Sequence, residues 1–309
     1  MTTRPDWQTD GADWPNRAAS RFVRAAGITW HVQVAGQGPA VLLAHGTGAA
    51  THSWRDLLPL LAERFTVVAP DLPGHGFTEM PPSHRLSLPG MAWGLRELLR
   101  TLGLSPVLGV GHSAGAAVLI RIALDGHLPA CAIVSLNGAL LPLGGMPGPI
   151  FSPLARMAVT LPGVAGMLAW QASDPVVVAR LLERTGSTID ARGVELYGRL
   201  LKRSGHIAAA LGMMANWDLA PLAADLPQLD VPLVLVVGSG DRTIPPSHAD
   251  RVRLLLPTAR IIALSGLGHL AHEERPDEVA QLLASLPEMA AGSGLPAENP
   301  RAGGLRQPA

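Results

Sequence analysis

A lone cysteine is all the thiol chemistry available to this chain of 309 residues. Cys131 therefore has no internal disulfide partner, and its place in the apolar run Ala130-Cys131-Ala132-Ile133-Val134 reads as a buried core thiol in a reducing compartment. Net charge is missing too. Lys and Arg total 24 and Asp and Glu total 24, which leaves no basic excess to neutralise a phosphate backbone and argues against general nucleic-acid binding. No apolar run reaches the ~18 residues that a membrane-spanning helix needs, because Gly, Pro, Arg or Asp interrupts each candidate. Met1 to Asn16 carries Asp6, Asp10 and Asp13 where a secretory leader requires a basic region followed by an apolar stretch. No signal peptide and no membrane span are expected, and the expected location is the cytoplasm. The partner is expected to be a small molecule or a protein.

What is present is apolar bulk, 48% of residues, enough for a large core. Short apolar runs alternate with helix-length amphipathic segments, the pattern of an α/β fold with a mostly parallel central sheet and helices on both faces. Strands are expected at Ile28 to Val34, Ala40 to Ala44, Thr66 to Ala69, Val107 to Val110, Ala132 to Leu136, Leu233 to Val237 and Arg260 to Leu264. Arg21 to Ala25 with the Ala26-Gly27 turn forms an opening antiparallel hairpin with the first of these. Helices are expected at Trp54 to Glu63, Leu88 to Leu102, Ala114 to Leu124, Ser247 to Leu255 and Pro276 to Leu286. The strand signal vanishes between Asn137 and Asp230, where helices are expected at Pro149 to Leu161, Asp174 to Arg184, Asp190 to Arg203 and Ile207 to Trp217. The organisation read from this is an N-terminal strap (1–20), a first core part (21–136), an inserted helical lid (137–230), a second core part (231–288) and a disordered tail rich in Gly, Pro and Ala (289–309).

Gly111-His112-Ser113-Ala114-Gly115 joins an apolar strand to a helix of small residues. That is the setting of a nucleophile elbow, in which a serine on a strained bend needs small neighbours two positions to either side. Ala114 starts the helix, so its N–H is available to an oxyanion. The plainer reading of Ser113 as a helix cap in a glycine-rich turn is set aside by two residues further along the chain. A serine hydroxyl needs a base and the base needs a carboxylate, in the chain order Ser, acid, His. Asp241 follows one expected strand and His269 the next, so the candidate triad is Ser113, Asp241 and His269, converging at one edge of the sheet. Alone, each of the latter two would read as an ordinary loop residue.

Ala44-His45-Gly46-Thr47-Gly48 supplies a loop for the second oxyanion donor, with Thr47 the first choice and Gly48 the second. His45 reads as a brace for this loop, and Asp71 to Gly76 as a turn under the pocket with His75 structural. His269 and His272 lie three apart, yet no Cys partner or H-E-x-x-H accompanies them and His272 sits beside Glu273 and Glu274 in an expected solvated approach to a helix, so no metal is expected. Gly109-x-Gly111-x-x-x-Gly115 echoes a dinucleotide turn, but the next strand ends in Ser135-Leu136-Asn137 without the acidic residue such a site needs. No cofactor is expected. Met146, Met157, Met167, Trp170, Met213, Met214 and Trp217 make the lid apolar. They serve packing, or, where they face the triad, a large flat apolar ligand. Arg180, Arg184, Arg199, Lys202 and Arg203 read as a solvated face that would otherwise meet an anionic edge.

His45-Gly46, Asp71-x-x-Gly74-x-Gly76, the serine elbow, the Asp241 loop and Gly268-His269 with Glu274-x-Pro276 together resemble the α/β-hydrolase superfamily across roughly Arg21 to Leu286. More narrowly, Asp13-Trp14-Pro15-Asn16-Arg17 and His45-Gly46-Thr47-Gly48-Ala49-Ala50-Thr51-His52-Ser53-Trp54 are similar to the magnesium-chelatase accessory proteins, the 30 kDa subunit family of bacteriochlorophyll biosynthesis. The resemblance implies an α/β-hydrolase fold with an inserted lid and a role near magnesium insertion into protoporphyrin IX. Partners implied are a small apolar or tetrapyrrole-like ligand and magnesium chelatase subunits. It leaves open whether the chain hydrolyses an ester or acyl group or serves as a non-catalytic tetrapyrrole-binding protein. Ser113, standing where haloalkane dehalogenases and epoxide hydrolases carry a carboxylate, excludes their chemistry.

Overall fold

The computed structural model of the protein describes residues 3–128, 130, 132–142, 161 and 163–291. Cys131, Met146, Met157, the helix expected from Pro149 up to Leu161 and the end of the tail beyond 291 lie outside the described residues. The strands are β1 (Ser20–Ala25), β2 (Ile28–Ala35), β3 (Ala40–Ala44), β4 (Thr66–Pro70), β5 (Leu108–His112), β6 (Ala132–Leu136), β7 (Leu233–Gly238) and β8 (Arg260–Leu264). They form one sheet in the order β1-β2-β4-β3-β5-β6-β7-β8. β2 pairs antiparallel with β1 and β4, and the remaining pairings are parallel. The hairpin turn is tight because Ala26 and Gly27 both take positive φ, 54° and 81°, the handedness that matches strand twist in a two-residue loop.

The helices of the core are α1 (Leu57–Ala62), α2 (Leu88–Leu102) and α3 (Ala114–Leu124) before the insertion. Between β6 and β7 come α4 (Val164–Gln171), α5 (Pro175–Glu183), α6 (Ala191–Leu201), α7 (Ser204–Ala215) and α8 (Ala220–Asp225). The chain closes with α9 (Ser247–Leu255), α10 (Ala271–Glu274) and α11 (Pro276–Ala291). Successive strand residues point to opposite faces, and both faces are covered. Leu42 and Val68 pack with Leu95 of α2, Leu119 of α3 and Val252 of α9, whereas Val41, Leu43 and Val67 pack with Leu57 and Leu61 of α1 and Val279 and Leu283 of α11.

Three sequence expectations need correction. The helix expected from Trp54 begins only at Leu57, after a 3-10 turn at Thr51–Trp54. Pro59 is the reason, since proline lacks the N–H and is tolerated only in a first turn. Within the insertion, α4 and α8 add to the expected helices: α4 is apolar around its whole circumference and gives no stripe, and α8 has six residues with Pro221 in its first turn. His272 is not solvated; it is 1% exposed, because α10 turns back into the core and sets its ring 4.5 Å from Trp54.

The N-terminal residues bind core and insertion together. Trp14, 2% exposed, donates from Nε1 to Thr51 Oγ1 at 2.9 Å. Asp13 meets Arg192 and Arg199 of α6, and Asp10 accepts from Arg203 at 2.6 Å. Arg199 and Arg203 are therefore ion-paired rather than simply solvated. Ser204 Oγ accepts from Thr3 N, and Gly205 N donates to Thr3 O. Trp14→Ala is expected to destabilise the fold by about 3–5 kcal/mol, as large-to-small changes at buried aromatics do. A urea midpoint indistinguishable from that of the parent would show that this segment merely rests on the surface.

Candidate active site

Ser113 stands between β5 and α3 with φ 51° and ψ −118°, a combination that costs free energy for any residue with a side chain. The bend persists because its surroundings leave no alternative. A Cβ at Gly111 would lie 2.4 Å from Ala116 Cα, and one at Gly115 would lie 2.1 Å from Ala44 O. Strand and helix approach so closely that only glycine fits. Ser113 N donates to Leu136 O at 3.0 Å, which fastens the bend to β6. Ala114 is the first residue of α3, where an N–H has no intrahelical acceptor and the helix dipole presents its positive end.

Asp241 and His269 are brought into direct contact. His269 Nδ1 donates to Asp241 Oδ2 at 2.8 Å, and that bond leaves Nε2 with its lone pair exposed for proton transfer. Asp241 Oδ1 accepts from Thr243 N at 2.7 Å and Ile244 N at 2.9 Å, so its carboxylate is held on both oxygens. Ser113 belongs to the same sheet edge, at the carboxyl end of β5, with Asp241 after β7 and His269 after β8. Among the described residues no hydrogen bond joins Ser113 Oγ to His269; the neighbouring His112 provides the link, donating from Nε2 to His269 O at 2.9 Å. Hydrogen bonds of a triad often tighten only when substrate arrives.

The loop after β3 closes over the serine. A Cβ at Gly46 would come within 3.0 Å of Ser113 Cβ, so Thr47 follows directly against the elbow. His45 fixes this loop through both ring nitrogens, donating from Nδ1 to Gly46 O and accepting from Leu72 N at Nε2, each at 2.8 Å. Burial lowers its pKa. His75 is buried, and its Nδ1 donates to Pro73 O at 3.1 Å within the turn.

Several supports were invisible in the sequence. Asn137, at the end of β6, takes φ 46°, a left-handed conformation that Asn tolerates better than most residues. Its Nδ2 donates to Gly268 O at 2.9 Å and His269 O at 2.8 Å, and its Oδ1 accepts from Gly238 N at 2.7 Å. One amide thus pins the loops that carry both the acid and the imidazole. Ser187 Oγ accepts from Leu270 N, and Glu274 Oε1 accepts from Gly268 N. Beneath His269 lies a buried polar cluster: Glu273 accepts from Ser53 at 2.7 Å, from Tyr197 of α6 at 2.8 Å and from Arg55, which also reaches Asp190 at 3.0 Å. Burial raises the Glu273 pKa despite its Arg55 partner. His272 shares this cluster through Ser53 Oγ at 2.8 Å. Of the apolar residues read as lid packing or a ligand cage, Met213 faces inward and is fully buried, whereas Met167 and Trp170 face solvent, Trp170 at 77% exposure.

Residues 41–282, the span that carries this elbow, the acid and the imidazole, match the model of the Alpha/beta hydrolase family. The chain belongs to the α/β-hydrolase family. Its sequence is 37% identical over 274 residues, 88% of this chain and 95% of the relative, to the magnesium-chelatase 30 kDa subunit of Rhodobacter capsulatus. Among solved structures, an α/β-hydrolase fold protein from Burkholderia ambifaria superposes with a TM-score of 0.71 at 24% identity, over 85% of this chain and 96% of that one. A meta-cleavage product hydrolase from Pseudomonas fluorescens superposes with a TM-score of 0.72 at 20% identity, over 87% and 98%. Those two likenesses establish the α/β-hydrolase fold and nothing finer. Among the described residues no single helix is long and apolar enough to cross a membrane.

Proposed function

We propose that the protein is a serine hydrolase acting on an ester or related acyl group, with an accessory role in bacteriochlorophyll formation near magnesium insertion into protoporphyrin IX. The observation that carries the chemistry is the strained Ser113 backbone at the junction of β5 and α3, strain that a mere helix cap would not need. Ser113 Oγ attacks the acyl carbon while His269 Nε2 accepts its proton, and the Asp241 carboxylate stabilises the imidazolium. The N–H groups of Thr47 and Ala114 hold the oxyanion. As the tetrahedral intermediate collapses, the imidazolium returns its proton to the leaving group. Water, deprotonated by the same imidazole, then releases the acid from Ser113. The pathway assignment rests on the 37% identity to the magnesium-chelatase subunit.

Labelling with a fluorophosphonate probe tests the chemistry. The wild type should be labelled and Ser113→Ala should not; equal labelling of both removes covalent catalysis at this serine. That same identity favours a second reading, a tetrapyrrole-binding or chelatase-interacting protein on a hydrolase fold. It requires that Ser113→Ala still quench porphyrin fluorescence and still stimulate magnesium insertion by chelatase. Loss of both with the hydroxyl favours the enzyme.

A further inference from the structure

The turn that carries Thr47 is fastened from outside the core. Ala49 N donates to Gly46 O at 3.2 Å and Gly48 has φ 77°, the combination of a type II turn with glycine at its third position. The carbonyl of Gly48 accepts a hydrogen bond from His206 Nε2 at 3.0 Å. His206 belongs to α7 of the insertion and has no solvent exposure. Its other nitrogen, Nδ1, accepts from Gly76 N at 3.0 Å, and this second bond fixes the tautomer with the proton on Nε2. Met213 lies seven residues further along α7, on the same helical face, with its Sδ 3.5 Å from Thr47 Oγ1. Two side chains of one inserted helix therefore grip the turn on successive residues.

We infer that His206 is a positioning residue for the oxyanion turn, so that α7 of the insertion holds the donors over Ser113 in working geometry. The inference rests on the hydrolase reading. The bond from Nε2 holds the carbonyl of Gly48, in the Gly48–Ala49 peptide, and so anchors the far side of the turn whose two preceding peptides carry the N–H groups of Thr47 and Gly48. A turn freed of that anchor can shift as a unit over the elbow and carry the Thr47 N–H away from the developing oxyanion. That loss falls on the transition state and spares the ground state. Burial pushes the His206 pKa down to about 4, so the neutral imidazole keeps both bonds near pH 7.

The test uses the full chain with p-nitrophenyl butyrate as the probe ester. His206→Ala is expected to lower kcat about 100-fold with KM changed less than about twofold, the signature of an interaction made in the transition state. His206→Gln, which keeps one donor and one acceptor, is expected to recover at least about tenfold of that loss. Amide exchange of Thr47, Gly48 and Ala49 should accelerate in His206→Ala while exchange in β5 and β6 stays slow. A rise in KM alone, or turn amides that exchange at the wild-type rate, overturns the inference. Nitrogen NMR of the unmodified protein gives a reading free of any folding defect: a proton on His206 Nδ1 instead of Nε2 at pH 7 also overturns it. A wild type with no turnover or labelling dependent on Ser113 defeats the hydrolase reading and this inference with it. Wild-type labelling combined with fully active His206 variants defeats this inference alone.

Discussion

His269→Ala should lower kcat for ester hydrolysis by about four to six orders of magnitude, and adding Ser113→Ala to it should change almost nothing further. The cause is mechanical. Nucleophile and base act as one unit, so removing either leaves only the rate that the oxyanion donors and substrate binding supply. Asp241→Asn belongs to the same series with an expected loss of about four orders. Its amide can still hold the ring, but it offers no charge to stabilise the imidazolium, and it can hold the tautomer that puts the proton on Nε2. Steady-state kinetics on the single and double variants measure the pattern. Losses that add in the logarithm would mean that the two side chains work independently, which the proposed mechanism does not allow.

The parts of this site that could be read in advance share a property: each is announced by its immediate neighbours. Ser113 is flanked by Gly111 and Gly115 because a strand and a helix collide there otherwise, Asp241 follows an uninterrupted apolar strand, and His269 follows one that is apolar after Arg260. The central strands β3, β5, β6 and β7 were legible for the same reason, since apolar residues almost without interruption demand cover on both faces. What stayed hidden depends on contacts between distant segments. Nothing near Asn137 in the sequence reveals that its amide meets loops more than 100 residues away, and nothing near His206 reveals a bond to Gly48. His272 misled for a related cause. Two adjacent glutamates look solvated until Arg55, Ser53 and Tyr197 are seen to bury Glu273.

The insertion is joined to the core through groups that matter to the proposed chemistry. Tyr197 of α6 reaches Glu273, four residues after His269, and His206 of α7 reaches Gly48. The N-terminal residues then fasten α6 and the start of α7 through Asp10, Asp13 and Thr3. A shift of these helices would therefore reach both the imidazole and the oxyanion loop, the route by which a bound ligand or partner at the insertion would alter turnover.

Buried neutral histidines also set the second large effect, loss of the fold in mild acid. Burial pushes the His206 pKa down to about 4 and that of His272 down to about 3, and acts in the same direction on His45, His52, His75 and His112. In the unfolded chain each imidazole regains about 6.5. Their stabilising contribution is thus complete above that value and is lost as pH falls from about 6.5 toward the folded pKa values, because the unfolded state binds protons that the native state refuses. His206 and His272 alone give a slope of roughly 3 kcal/mol per pH unit at about pH 5, between the unfolded and folded pKa values. Glu273 opposes them, its raised pKa letting the native state take up a proton first, but it is one group against seven, since burial also pushes the His248 pKa down to about 4. Against a total stability of about 5–15 kcal/mol, unfolding should be complete near pH 4. Urea denaturation at pH 7, 6, 5 and 4.5 measures the slope, and His272→Gln should reduce it by about one proton. A urea midpoint that stays constant over this range would mean that these rings are protonated or solvated in the native protein, and the buried polar architecture around His269 would have to be redrawn.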